Sequence, residues 1–280
     1  MHNKLEIPPL VVDDAAFVGT IPENYHRGLG PTLFEPYAQE TSARVAALAP
    51  HRVLETACGT GIVTRRLREK LPAGARLVAT DLHEPMAAVA KDLLGPDAAV
   101  HWERADMTSL PFGDGEFDAM VCQFGLMFVP DKPAAVREAR RVLAPGGRLF
   151  LATWQSLEKN PVVRLAHEAV ATVFPDEPFQ YFRIPFGLGE PEQVVPLLVD
   201  AGFTDVRAEV VAKTTSSISA RSLAIGLING YPISDYIKVR NLQLLEPVID
   251  AVTRAIAERY GEGVVTTEIS ALLTTGTAPA

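Results

Sequence analysis

The run Glu55-Thr56-Ala57-Cys58-Gly59-Thr60-Gly61 places two glycines beside an acid and several small side chains. Glycine lets the backbone approach a ligand closely and take dihedrals closed to residues bearing a Cβ. Amides exposed at the start of a following helix can then hold a polar or anionic moiety. Twenty residues after Gly61 comes Asp81, at the position where a carboxylate accepts both hydroxyls of a ribose. The order of the two features points to a nucleoside-bearing ligand. As a dinucleotide fingerprint the run fails, because a third glycine is due at position 64, which is Thr64.

Candidates for proton transfer are fewer. Of the histidines His2, His26, His51, His83, His101 and His167, His51 and His101 fall in or near strands away from the expected active end, and His83 sits on the rim of the turn site. His26 and His167 remain as candidates for a general base, against the competing reading of exposed or structurally bonded imidazoles. Cys58 and Cys122 cannot by themselves build a disulfide framework or a four-ligand zinc site, and no metal is expected.

These residues need elements to position them. Val53-Leu54-Glu55-Thr56 reads as a strand entering the glycine turn, followed by Ile62, Val63, Leu67 and Leu71 at helical spacing. Arg76 to Asp81 reads as a second strand, with Pro85 at the next helix start and Met86, Val89, Ala90, Leu93 and Leu94 on one face. Strands at Ala98 to Arg104, Phe117 to Cys122 and Arg148 to Thr153 follow, with a helix from about Asp131 to Leu143 and the turn Pro145-Gly146-Gly147. Strands joined by helical crossovers imply a parallel sheet with helices on both faces. Beyond lie a Pro- and aromatic-rich stretch, Trp154 to Gly189, a helix Pro191 to Ala201 and a strand Phe203 to Val211. A mostly helical stretch, Thr214 to Gly263, and a last strand, Val264 to Thr275, complete the pattern.

The chain has 280 residues, a formal charge of −8 and 48% hydrophobic residues, which suits one large globular unit. An acidic balance argues against a nucleic-acid partner. The first residues, Met1 to Pro9, lack the pattern of a signal peptide, and Leu223 to Ile233 is too short and too interrupted to span a membrane. The expectation is a soluble cytoplasmic protein; its oligomeric state is not readable.

Taken together, Val53 to Gly61, Ala79-Thr80-Asp81 with Met86, Ala105-Asp106-Met107 with Leu110-Pro111-Phe112, Phe117-Asp118, Glu138 to Gly147 and Ala201-Gly202-Phe203 resemble class I S-adenosylmethionine-dependent methyltransferases. The branch they resemble is the small-molecule one that includes the ubiquinone/menaquinone-biosynthesis methyltransferases. The resemblance runs from about Val53 to Val206. It implies a Rossmann-like doubly wound α/β fold, a seven-stranded sheet of order 3-2-1-4-5-7-6 with the last strand antiparallel, and S-adenosylmethionine as cofactor. It also implies that Ala57, Gly59, Thr60 and Gly61 line the methionine part, that Asp81 and Leu82 hold the ribose, and that Met86 packs on the adenosine. Asp106 would accept from the adenine amino group beside the Met107 amide, and Gln123 and Phe124 would sit near the sulfonium. For Met86, Gln123 and Phe124 a packing role is the alternative. Val121-Cys122-Gln123 looks like the nucleophilic segment of cytosine-C5 DNA methyltransferases but lacks its proline, so a buried strand-end cysteine is expected.

In related enzymes a segment like Asn24 to Tyr37, here followed by a helix read as Ala38 to Leu48, folds over the cofactor, which makes Tyr25, Phe34 and Tyr37 candidates to close the methionine side, or simply anchors for the arm. The division expected is an arm and helix over 1–50, a cofactor-binding core over 51–213 with 264–280, and a helical lid over 214–263 to which 154–189 contributes. Phe179, Tyr181, Phe182, Phe186, Tyr231 and Tyr236 would make that lid aromatic. With Phe124, Phe128, Tyr181, Tyr231 and Tyr236 facing the substrate, the expected partner is a small, apolar or aromatic acceptor. The expected activity is methyl transfer to it; the alternatives are a nicotinamide-dependent oxidoreductase and a cofactor-binding module that does not methylate.

Overall fold

The computed structural model of the chain describes residues 17, 19–96, 99–174 and 181–280; Met1 to Pro9, Ala98 and Phe179 lie outside them. Seven strands form one sheet: β1 (Arg52–Glu55), β2 (Arg76–Asp81), β3 (Val100–Arg104), β4 (Phe117–Gln123), β5 (Leu143–Trp154), β6 (Thr204–Ser217) and β7 (Val265–Thr277). Their spatial order is β3-β2-β1-β4-β5-β7-β6. The first five run parallel, while β7 is antiparallel to both β5 and β6. The expected doubly wound topology is therefore the one observed. Central strands covered on both faces read as continuous apolar runs, and Val53, Leu54 and Ala119 to Cys122 are all buried. On the edge strand β6, Arg207, Glu209 and Lys213 discourage pairing with another chain.

Helices α3 (Ile62–Lys70), α4 (Glu84–Leu94), α5 (Lys132–Val142) and α7 (Pro191–Asp200) follow β1, β2, β4 and β5. Helix α5 begins where Asp131 accepts from the Ala134 amide at 2.9 Å, a side-chain cap on an otherwise orphaned donor. Ahead of the sheet lie α1 (Ile21–Asn24), a π-helix over Tyr25–Phe34 and α2 (Glu35–Ala46). The 214–263 segment holds the helices α8 (Ala220–Asn229), α9 (Ile233–Asn241) and α10 (Leu245–Tyr260), with α6 (Pro161–Val173) packed on α10.

Three boundaries differ from the sequence pattern. Thr214 to Ser217 continue β6, pairing with Glu268 to Val265, so the helices of the 214–263 segment begin only at Ala220. Helix α2 starts at Glu35, not Ala38, because the π-helix leads straight into it. Strand pairing on β5 starts at Leu143, opposite Phe117, and slips across the Pro145-Gly146-Gly147 turn before Arg148 resumes it opposite Ala119.

Candidate active site

At the carboxyl ends of β1, β2, β4 and β5 the chain encloses a cavity of about 440 Å³. An open α/β sheet binds ligands at this end, where the strand order reverses between β1 and β4. Two backbone outliers mark the spot. Ala57, after β1, has φ +51°, and Phe124, after β4, has φ +59°. A bulky residue with positive φ is strained unless its surroundings hold it, and such strain gathers at functional sites. Phe124 is held: its amide donates to the Ala152 carbonyl at 2.8 Å, and its ring stacks on Trp154 with centroids 3.8 Å apart and planes 2° from parallel.

One half of the cavity is lined by Ala57, Gly59, Asp81, Leu82, Met86, Asp106 and Met107. Asp81 ends β2, where its Oδ2 accepts from the Gly59 amide and its Oδ1 from the His83 amide, each at 2.8 Å. These bonds tie the glycine turn to the acidic strand end; burial raises the Asp81 carboxyl above the usual carboxylate range, and the two amide bonds offset part of that rise. Asp106 Oδ1 accepts from the amide and hydroxyl of Thr108, shaping the turn that presents Met107. Glu55, below the turn, is fully enclosed; burial pushes its carboxyl up to about 8. It is mostly protonated at neutral pH.

The other half is aromatic. Phe34, Phe124, Trp154 and Tyr231 line it, with Tyr25 stacked on Phe34 at 4.6 Å and Phe17 against Phe128 at 6.2 Å. Trp154, Phe17, Asp131 and Pro185 line the cavity although the sequence pattern does not single them out for it, and His83 lines it from the rim where it was expected. Trp154 was detectable in principle as the large residue at the end of β5, in register with Ala271.

Several expected site residues stand elsewhere. Tyr37 is buried beneath the site, its hydroxyl donating to the Val211 carbonyl at 2.8 Å with the Ile269 carbonyl at 3.0 Å. Thr60 and Gly61 do not line the cavity: Thr60 Oγ1 meets His26 Nδ1 at 3.0 Å, and Gly61 packs on Ala90, which a Cβ would approach to 2.8 Å. Gln123 does line it, but its Oε1 accepts from Thr41 and its Nε2 donates to the Phe34 carbonyl, so its polar atoms fasten the N-terminal helices to β4. Neither His26 nor His167 lines the cavity, and burial lowers both below the usual imidazole range. Tyr181 packs behind Tyr231, with ring centroids 5.9 Å apart, and Tyr236 lies under the Arg240 guanidinium. Burial raises the Cys58 and Cys122 thiols, leaving neither as a thiolate nucleophile. Among the described residues no cluster of metal-ligating side chains occurs and no helix is long and apolar enough to cross a membrane.

Residues 54–151 match the family model described as a methyltransferase domain. A ubiquinone/menaquinone biosynthesis C-methyltransferase, UbiE, of Pseudomonas fluorescens is 31% identical over 188 residues, covering 62% of this chain and 72% of that protein. A demethylmenaquinone methyltransferase of Clavibacter sepedonicus is 38% identical over 128 residues, 46% of this chain but only 51% of that protein's length. Among solved structures, the YcgJ protein of Bacillus subtilis aligns with a TM-score of 0.55 at 16% identity, covering 86% of this chain and 99% of that one. A Haemonchus contortus phosphoethanolamine N-methyltransferase in complex with S-adenosyl-L-methionine aligns with a TM-score of 0.52 at 16% identity, over 86% of this chain and 52% of that one. The chain belongs to the class I S-adenosylmethionine-dependent methyltransferases. Within that class its similarity is to the ubiquinone/menaquinone-biosynthesis branch. The cofactor-side residues fit the group: a buried strand-end carboxylate, a backbone turn held by it and the apolar Met86 and Met107 suit a ribose, a polar tail and a flat base.

Proposed function

We propose that the protein transfers a methyl group from S-adenosylmethionine to a small aromatic acceptor bound between Phe124, Trp154 and Tyr231. The observation that carries this reading is the division of a single cavity into a half lined by Asp81 and the glycine turn and a half lined by stacked aromatic rings. When bound, the cofactor supplies an electrophilic methyl on a good leaving group. The chain's task is then alignment and exclusion of water, which can provide most of the acceleration for an in-line displacement. Asp81 and Leu82 hold the ribose, Met86 and Met107 face the base, and the Ala57 to Gly59 turn carries the methionine portion. The Phe124–Trp154 stack forms a flat wall that favours a planar acceptor through offset stacking. The names of the relatives, which act in quinone biosynthesis, agree with an acceptor of that shape.

The test is isothermal titration with S-adenosylmethionine, S-adenosylhomocysteine and NAD, followed by detection of S-adenosylhomocysteine release with a panel of aromatic acceptors. One site per chain for the first two ligands and none for NAD is expected, with turnover of at least one aromatic acceptor. Binding of NAD alone overturns the reading; cofactor binding without turnover of any acceptor favours a non-methylating module.

A further inference from the structure

The loops after β1 and β4 touch where the strand order reverses, and the touch is made by one methyl group. Ala57, Phe124 and Gly125 all line the cavity there. Gly125 has φ −102° and ψ −41°, a conformation open to alanine, so nothing in its own backbone calls for glycine. What calls for it is Ala57: a Cβ built on Gly125 would overlap the Ala57 Cβ and lie 3.0 Å from Cys122 Sγ. Ala57 presents the converse. Glycine takes a φ of +51° freely, whereas alanine holds it under strain, and what the methyl adds is the contact with Gly125. Both loops are fixed from behind. The Thr56 amide donates to the Val121 carbonyl of β4 and the Cys58 amide to the Thr80 carbonyl of β2, each at 2.9 Å, which pins the turn on both sides of Ala57. Opposite, the Phe124 amide donates to the Ala152 carbonyl at 2.8 Å, and the Gly125 carbonyl accepts from the Phe128 amide at 3.0 Å, closing the short helix Leu126–Phe128.

The contact therefore joins the turn beside Asp81 to the segment that carries Phe124 and Phe128 into the cavity. We propose that Ala57 and Gly125 are a positioning pair for methyl transfer: the methyl of one against the bare Cα of the other sets the spacing between the turn that carries the methionine portion of the cofactor and the aromatic wall that orients the acceptor. This rests on the placement of cofactor and acceptor given above. An in-line displacement needs the methyl and its acceptor held at a fixed separation, and a misplacement of about 1 Å can cost about a hundredfold in rate. A spacer of one methyl has no slack. A second methyl parts the two loops, and removal of the first leaves their separation unset.

The experiment moves the methyl from one side of the contact to the other in the full chain. Affinity for S-adenosylhomocysteine is read by isothermal titration, and affinity for 1-naphthol, a flat probe of the aromatic half, on protein saturated with S-adenosylhomocysteine. Gly125→Ala is expected to weaken both by at least about tenfold, since overpacking displaces both loops. Ala57→Gly is expected to weaken 1-naphthol by about threefold or more while the Tm of the ligand-free protein stays equal or rises, because the strain at φ +51° is relieved. The double variant Ala57→Gly/Gly125→Ala returns one methyl to the contact, and both affinities are expected within about threefold of the parent. That rescue separates a spacer from general damage, since two independent defects would add. Should Gly125→Ala fail to fold, Ala57→Gly and the double variant carry the test. Absence of rescue, or an Ala57→Gly protein that binds both ligands as the parent does, overturns the assignment. A parent that binds S-adenosylhomocysteine but not 1-naphthol overturns the acceptor reading and leaves the pair to be decided by rescue of cofactor affinity; a parent that binds neither overturns the placement of the cofactor.

Discussion

Asp81 is the side chain on which the glycine turn and the cavity both depend, since its two oxygens hold the Gly59 and His83 amides while it faces the ligand space. Asp81→Ala should weaken S-adenosylhomocysteine binding by at least about tenfold, one charge-assisted hydrogen-bonding group costing about 1.5–3 kcal/mol; unchanged affinity by titration would move the ribose elsewhere. Tyr37 offers the opposite case, a bonded hydroxyl away from the cavity. Tyr37→Phe should lower stability by about 1–3 kcal/mol in denaturant unfolding, because the one hydroxyl proton shared between the Val211 and Ile269 carbonyls is lost, and should leave cofactor affinity unchanged. Glu55 gives a pH signature. Its carboxyl rises from 4.5 to about 8 on burial, so between those values the folded chain keeps a proton that the unfolded chain has lost. Folding stability therefore falls as pH rises through that window, by up to about 1.4 kcal/mol per unit, and is flat above it. Relative to the parent, Glu55→Gln should gain stability steadily from about pH 5 to pH 8; parallel stability curves would show that the group is not buried as a neutral acid. At this scale the turn and Asp81 were legible because type and spacing define them. The use of Gln123 was not, since its bonds to Thr41 and Phe34 join chain positions far apart in sequence.

The π-helix Tyr25–Phe34 brings Tyr25 and Phe34 to the cavity wall, and what seats it is a glycine contact. A Cβ built on Gly226 of α8 would lie 2.8 Å from the Gly28 carbonyl carbon and oxygen, and one on Gly28 would lie 2.5 Å from the Gly226 Cα. Two backbones meet there without side chains between them, which brings Tyr25 and Tyr231 into edge contact. Gly226→Ala should gain up to about 1 kcal/mol of helix propensity but must push the π-helix away, at a cost of about 1–3 kcal/mol. The expected result is a lower Tm and weaker binding of S-adenosylhomocysteine together; a higher Tm with unchanged affinity would show that the two elements are not locked. The π-helix was not legible, because Gly28, Gly30 and Pro31 among aromatics read as turn chemistry, and only the fit against α8 makes the segment helical. The end of β6 was missed for a related reason. Thr214 to Ser217 carry no strong period and become strand by pairing with β7, a partner some fifty residues away.

At the scale of the molecule, the sheet and the helices α8 to α10 come from separate parts of the chain. Alternating strand and helix patterns over Arg52 to Trp154 made the parallel half of the sheet readable, whereas β7 and β6 were placed by resemblance, because antiparallel addition at an edge leaves no mark in a single strand's pattern. The sheet supplies the Asp81 half of the cavity, and the N-terminal helices and the turn between α8 and α9 supply Tyr25, Phe34 and Tyr231, so on the proposed reading the reacting groups would meet where the two halves join. A crystal structure of the full chain with S-adenosylhomocysteine measures that arrangement directly. The ribose hydroxyls are expected on Asp81, the adenine between Met86 and Met107, and the sulfur facing the space bounded by Phe124, Trp154 and Tyr231. A ligand bound outside this cavity, or a sulfur turned toward a wall formed without the aromatic half, would contradict the account.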